Sequence, residues 1–427
     1  MCPVCKIPAP FVLLLCVALS GCGGDVEQSG EAVVTDSAGV RMVENPDGAF
    51  DGGGTMWTVG TSPQVTIGEE SGEDPYLFDR IMGIERLSDG RWVVADMGSS
   101  QIRWFDAEGR HLQSAGGRGE GPEEFRQVMG LTRLAGDTLL VDDARSRLQM
   151  LDEAGAFLGE FSATGSPVGE RTDPVGAFRD GTVVAATASA YPQRLTSPQS
   201  IARTYHRAAL EAGEGRGLEL QVLDTIGSWE VLNLVPGWNE MAQRVEFEEW
   251  IHIALLGEGL VVADPMRFEV RILSADGELR TVSRFHWNPE PVTNAHIEQR
   301  REDFIHQEGE GGGPVAPQLI QQRTEITEAW EISDHLPAFS GVIVDEVDHI
   351  WLREYVPNEA RVGSWTPAPL DSVRWLVLSP EGEVVAGAET PARFRPGVIG
   401  HDFVAGVHFD ELEVARVHVY SLERDGP

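Results

Sequence analysis

An all-β fold is predicted by three features of this chain: short apolar strands, glycine and aspartate turns at near-constant spacing, and the return of one such pattern several times. Leu87 to Gly109 reads LSDGRWVVADMGSSQIRWFDAEG, a turn, an apolar strand ending at Asp96, a second turn, another strand and a closing turn. The pattern returns as LAGDTLLVDDARSRLQMLDEAG from Leu134 to Gly155 and as LGEGLVVADPMRFEVRILSADG from Leu256 to Gly277. Asp96 and Asp264 stand thirteen residues before the closing glycine, and Asp143 stands twelve before it. Two strands and a loop kept at nearly fixed length mark a repeated structural unit, and repetition outranks chain length as a guide to architecture.

Within each unit the two strands differ in character. Val93-Val94-Ala95, Leu139-Leu140-Val141 and Val261-Val262-Ala263 are continuous apolar runs, as expected of strands covered on both faces. Gln101 to Trp104 and Glu269 to Ile272 alternate, as half-exposed strands do. A buried strand beside a half-exposed one fits the blade of a β-propeller. Weaker copies run from Ala177 to Ala186 with Leu218 to Asp224, from Val342 to Trp351 with Val373 to Gly382, and from Val398 to Leu422, which makes about six units. Trp57 to Ile67, extended in pattern, is placed to complete the last unit and close the ring. Val33 to Val43 reads as a small hairpin through Asp36 to Gly39. Pro289 to Pro337 differs, because Val292 to Gln307 and Pro317 to Glu331 are helix-like around a Gly/Glu break at Glu308 to Gly313. The expected architecture is therefore an all-β, six-bladed β-propeller over 33–427 with a helical insertion at about 289–337. That insertion is expected to be a packed lid or a partner surface, since structureless loops of such length are unusual in compact domains.

The N-terminus has the layout of a signal peptide over 1–21, with Lys6 as its basic residue and the apolar run FVLLLCVAL from Phe11 to Leu19. A run this short cannot cross a hydrocarbon core of roughly 30 Å as a helix. Leu19-Ser20-Gly21-Cys22 resembles the lipobox of bacterial lipoproteins, which implies cleavage before Cys22 and acylation of its thiol. Residues 22–32 then read as a flexible tether. Cleavage would remove Cys2, Cys5 and Cys16 and lipid would consume Cys22, so no thiol is left for bridges or catalysis. With 33 basic and 68 acidic residues the net charge is −35, and Lys6 is the only lysine. Such a field repels nucleic acid and anionic lipid headgroups, and favours solubility.

Leu87-Ser88-Asp89-Gly90, Val93-Val94-Ala95-Asp96 and Phe105-Asp106-Ala107-Glu108-Gly109, followed by GEGPEEF at 119–125, resemble bacterial six-bladed β-propellers of the NHL-repeat type. The Asp36-Ser37-Ala38-Gly39 hairpin, the helical excursion, and Leu336 to Phe339 running into Ile350-Trp351-Leu352 are similar to the lipoprotein branch of that group. Propellers of this shape serve as lyases, lactonases, sensors and binding platforms, so the resemblance implies fold rather than activity.

Recognisable catalytic signatures are missing from the sequence: it holds no HExxH, no Gly-x-Ser-x-Gly elbow and no phosphate loop ending in Gly-Lys-Ser/Thr. GGRGEGP at 116–122 reads as a tight turn. Asp96, Asp142, Asp143, Asp264, Asp345 and Asp348 could supply oxygen to calcium, but aspartates repeated at one point of each unit are more simply turn formers. His252, His349, His401 and His408 fall at or beside strands and are the candidate metal ligands, since NHL-type lyases hold zinc with channel histidines. The many tryptophans, Trp104, Trp351 and Trp375 among them, are expected to pack between sheets. The preferred expectation is a lipid-anchored, extracytoplasmic binding or scaffolding module of the cell envelope, on the outer membrane or its periplasmic face. It has no cofactor, and its ligand is an envelope protein, a peptide or a glycan. The alternative is a metal-dependent lyase or lactonase with a divalent ion in the central channel.

Overall fold

A computed structural model of the protein describes residues 32–46, 50, 55–121, 123–144, 147–162, 172–188, 191–213, 217–307, 315–362 and 367–424. The expected signal peptide, Cys22 and almost all of the tether lie outside the described residues. Strands dominate, and they fall into antiparallel meanders of four strands, or five in the third. Four meanders form separate sheets: I (81–116), II (128–162), III (172–244) and IV (252–285). Two more, V (339–390) and VI (394–423 with 65–67), share a nine-stranded sheet.

The first strands of successive meanders touch one another around a circle. Ile81–Arg86 meets Val128–Arg133, the contacts continue through Thr172–Ala177, His252–Leu256, Phe339–Val344 and Phe394–Ile399, and the last returns to Ile81–Arg86. Each boundary in this circle has its own apolar filling, and the fillings account for most of the core. Trp104 and Ile102 of meander I pack on Leu139 and Val141 of II, and Phe403 and Ala405 of VI pack on Ile84 and Trp92 of I. Corresponding clusters lie between II and III, III and IV, IV and V, and V and VI. Sheets arranged face to face about an axis are the architecture of a β-propeller.

Burial explains the sequence pattern strand by strand. Trp92–Asp96, the second strand of meander I, is buried throughout, whereas His111–Gly116, the fourth, alternates between half-buried and exposed. The aspartates of the outer hairpins close their own turns. Asp106 Oδ1 accepts from the amides of Glu108 (3.1 Å) and Arg110 (2.8 Å) while Gly109 N–H donates to the Asp106 carbonyl (3.0 Å). Asp152 repeats this with Ala154, Ala156 and Gly155, and Asp410 with Leu412, Val414 and Glu413. Gly155 illustrates why glycine stands at the third step: its φ is +79°, and a Cβ there would sit 2.9 Å from the Trp104 ring.

Closure uses the beginning of the chain. Val65–Ile67 pairs antiparallel with Ala415–Glu423 as the outer strand of meander VI, and Met56–Val59 joins that strand to Val384–Thr390 of meander V. The hairpin Val33–Ser37/Val40–Asn45 extends meander IV by lying parallel to Leu279–Phe285. Its buried Asn45 reaches the Ser283 hydroxyl (2.8 Å) and the amide of Val384 (3.1 Å), and so ties meander IV to V. Two features went unread in the sequence: the length of Gln199–Ala212 and Leu218–Pro236, a ribbon far longer than the other hairpins, and the parallel addition at meander IV. Helices α1 (Asn294–His306) and α2 (Pro317–Glu328) lie between meanders IV and V.

Because Ile67 is fully buried between meanders VI and I, a chain beginning at residue 69 is expected to lose its cooperative thermal transition, while one beginning at residue 32 keeps it. Circular dichroism melts of the two truncations decide the matter, and equal transitions would refute this role for the closing strand.

Candidate functional site

A cavity of about 1190 Å³ lies between the helices and the ring, walled by 243–249, α1, Trp330 and the loop 355–361. Thr293 starts α1 by capping the amide of His296, and Pro317 starts α2 at a position where a missing N–H does no harm. The helices are held over the cavity mainly by polar ties. Arg300 Nε donates to Asn358 Oδ1 (3.0 Å), and Asn358 Nδ2 donates to the carbonyl of His296 (2.9 Å). On the other side Glu246 N–H donates to the Glu331 carbonyl (2.8 Å), and Ser333 N–H to the Glu246 carbonyl (3.0 Å). Phe304 on α1 meets Trp330 at 5.3 Å between ring centroids, and Arg323 on α2 donates to the carbonyls of Ile305 and Gln307.

Charges of both signs converge here. Burial raises the carboxyl of Glu246, opposed by the guanidinium groups of Arg300 and Arg244. Burial likewise raises Glu249, opposed mainly by Arg244, and raises Glu248, opposed by a hydrogen bond from Asn233. Tyr355 is pushed up to about 12, again by burial, with Arg300 acting in the opposite direction. Three carboxyls held near two arginines and a phenol, beside the rings of Phe247, Phe304 and Trp330, can both donate and accept hydrogen bonds to a polar ligand and cover an apolar side chain.

A second cavity, of about 750 Å³, opens at one mouth of the ring, where the ends of all the first strands meet: Arg86, Arg133, Ala177, Leu255, Val344 and Val398 line it. Glu85 beside them is pushed up to about 7 by burial, against the Arg133 amide that donates to it (3.1 Å) and the Arg133 charge, with Glu346 adding repulsion. The neighbouring cations are already engaged. Arg133 pairs with Asp137 at 2.7 Å, and Arg86 stacks 4.4 Å from the Phe403 ring centre.

The four histidines singled out in the sequence are not brought together, and none lines the channel-mouth cavity. His252 begins the first strand of meander IV, pushed down to about 4 by burial, with Nε2 buried and without a partner. His349 and His401 sit in hairpins of meanders V and VI and share Arg424, which donates to His349 Nδ1 (3.0 Å) and to the carbonyl of His401 (2.6 Å). His408 stacks on His418 at 4.4 Å, both lowered by burial, His418 to about 4. Among the described residues, no group of three or more His, Cys, Asp or Glu side chains could hold a metal ion. The repeated aspartates are spent on hydrogen bonds and ion pairs within the protein. Asp96 accepts from the amides of Asp79, Arg80 and Ser99, Asp143 from Gln127 and Arg147, and Asp264 from Met266 and Arg267. Asp345 accepts from Trp351 Nε1 and Arg424, and Asp348 from the Gly257 amide and Arg179. Trp104, Trp351 and Trp375 are buried between sheets. Sequence reasoning missed Arg300, Tyr355, Glu85 and the acidic run Glu246-Phe247-Glu248-Glu249, whose three carboxyls just ahead of a strand were the available signal.

No family model matches the chain, and no curated protein is similar to it. Similar solved structures include a member of the DUF4221 family from Bacteroides vulgatus, at 10% identity and TM-score 0.46, covering 93% of this chain and 99% of that one. Others are a calcium-binding protein, regucalcin, from Agrobacterium tumefaciens (12% identity, TM-score 0.38, 88% and 98% covered) and virginiamycin B lyase from Staphylococcus aureus (10%, 0.35, 80% and 94%). Likeness at this distance carries no activity over to this chain. Among the described residues, no helix is long and apolar enough to cross a membrane.

Substituting Arg300→Ala removes the cation facing Glu246, Glu249 and Tyr355 and one of the two hydrogen bonds that tie α1 to Asn358. The expected result is a loss of about 1–3 kcal/mol in chemical denaturation and faster proteolysis within α1, and unchanged cleavage would sink the anchoring role. Glu85 has a folded pKa near 7 against 4.5 for the free group, so its contribution is present below about pH 4.5 and is lost as pH rises through 7. Glu85→Gln should therefore stabilise the protein at pH 8, by up to about 3 kcal/mol, with the gain shrinking toward pH 4. Melting curves at the two pH values test this, and a gain independent of pH rules it out.

Proposed function

We propose that this chain is an exported, six-bladed β-propeller lipoprotein, acylated at Cys22 and held on the cell envelope, and that it acts as a binding module whose helix-roofed cavity takes a peptide segment of an envelope partner. The observation that carries this reading is the cavity of about 1190 Å³, in which carboxyls, guanidinium groups and aromatic rings converge beneath helices anchored to the ring at both sides. A peptide offers backbone donors and acceptors, charged groups of both signs and apolar side chains, and each finds a counterpart on these walls. The leader, the Leu19-Ser20-Gly21-Cys22 motif and the polar residues after it support anchoring by lipid, and several acyl chains hold far more firmly than one.

Two measurements test the reading. Cells fed a radiolabelled fatty acid should label the protein, and Cys22→Ser should abolish both the label and its recovery with membranes. The purified full chain, immobilised, should retain members of a random decapeptide pool and not members of a maltooligosaccharide pool, and Trp330→Ala should reduce peptide retention. Equal retention by Trp330→Ala, or metal-dependent turnover on a hydrolase panel, counts against a peptide-binding module.

A further inference from the structure

Beside the roofed cavity, and sharing Glu359 and Arg361 with it, a smaller pocket of about 280 Å³ lies between the first strands of meanders V and VI. Its charged lining is Arg353, Glu359, Arg361 and Arg395, three cations to one anion, in a chain whose net charge is −35. The single carboxylate is already divided. Glu359 Oε1 pairs with Arg353, and its Oε2 accepts from Arg361 Nε at 2.9 Å. Arg353 also donates to the Ser340 hydroxyl at 2.8 Å.

Arg395 is different. It lies on Phe394–Ile399, the first strand of meander VI, half-buried, with Nε sealed from solvent and without a hydrogen-bond partner. Among the described residues its guanidinium has no ion pair or hydrogen bond, although the chain as a whole carries an acidic excess. Burial alone pushes its pKa below the usual arginine value. Burial strips part of the water from this guanidinium, and the pocket offers no free protein anion to offset that loss, since Glu359 is spent. The remaining walls are mainly apolar: Val342, Ile343, Pro367 and Pro396 are half-buried over the buried rings of Trp375 and Phe394. The Trp375 indole N–H is itself satisfied by the Thr390 hydroxyl at 3.0 Å, so it makes no demand on an occupant.

We propose that this pocket is a binding site for an organic carboxylate, whose two oxygens take the Arg395 fork and whose apolar body lies against Ile343, Pro367 and Pro396. A planar guanidinium matches a carboxylate with paired donors, and the apolar walls favour a carboxylate carried on a hydrocarbon body over a free inorganic anion. The inference rests on the peptide-binding reading only where the two pockets meet, at Glu359 and Arg361. There a ligand in the roofed cavity could place a carboxylate against Arg395.

Isothermal titration of the full chain in detergent with benzoate, benzamide and inorganic phosphate tests the site. Benzoate should saturate one site, and benzamide and phosphate should not bind. Arg395→Met, which keeps the apolar stem, should weaken benzoate at least about tenfold, with Arg395→Lys in between. The thermal transition of Arg395→Met should be no lower than that of the parent, because an uncompensated cation has been removed. Trp330→Ala should leave benzoate binding unchanged, so a failure of the roofed cavity and a failure of this pocket read out separately. Equal benzoate affinity in Arg395→Met, equal binding of benzamide, or binding of phosphate without benzoate overturns the proposal.

Discussion

Everything in the molecule depends on one strand pairing made across nearly the whole chain, Val65–Ile67 against Ala415–Glu423. Three residues from the beginning of the fold supply the outer strand of the last meander, and Ile67 among them enters the cluster between meanders VI and I. Without that strand, meander VI would present an unpaired edge, and the boundary with meander I would lose part of its filling. With it, each meander is flanked by two others, and the first strands are pressed into a circle whose ends gather Arg86, Arg133, Ala177, Leu255, Val344 and Val398 at a common mouth. The site geometry is thus a consequence of closure, not of any local motif.

The strands were legible because two physical signals repeat: continuous apolar runs where a strand is covered on both faces, and aspartate with glycine where a hairpin closes. Val93-Val94-Ala95 and Val261-Val262-Ala263 are fully or nearly fully buried, and Asp106 and Asp152 make the same turn with the same hydrogen bonds. The long ribbon of meander III was hidden because its strands carry polar residues facing solvent along much of their length, which dilutes the alternation. The parallel addition of Val40–Asn45 to meander IV was hidden because register between distant segments leaves no periodic trace in either. The candidate site was less legible still. His252, His349, His401 and His408 drew notice by residue type, but type says nothing about convergence, and their surroundings turn out to be a buried strand start, a shared arginine and a stacked pair. Arg300, Tyr355 and Arg395 come from a helix, a loop and a strand far apart in sequence, and only the folded ring assembles them.

The exclusive use of arginine as the cation beyond Lys6 has a structural counterpart. Arg103 pairs with Asp96 at 3.7 Å and donates to the carbonyls of Pro75 and Leu77. Arg147 pairs with Asp143 and donates to the carbonyls of Glu120 and Glu124, and Arg424 joins Asp345 to the carbonyls of Gly400 and His401. Each guanidinium spends one edge on a carboxylate and another on backbone, which a lysine, with its single compact charge, does less well. In such an acidic chain this arrangement consumes arginines readily, and Arg395 is one of the few that it leaves without a carboxylate or carbonyl partner among the described residues.

The helical roof points the same way. Helix α1 buries none of its residues and α2 buries only Thr327. A layer that removes so little apolar surface from water adds little to the stability of the ring, because burial of such surface is the main driving force for packing. Its polar ties to Asn358, Glu331 and Glu246 specify where it sits rather than how strongly the ring is held together. An insertion that fixes position and contributes little packing is best understood through the space it encloses. That space and the adjoining Arg395 pocket are where the chain departs from the economy of its repeated sheets.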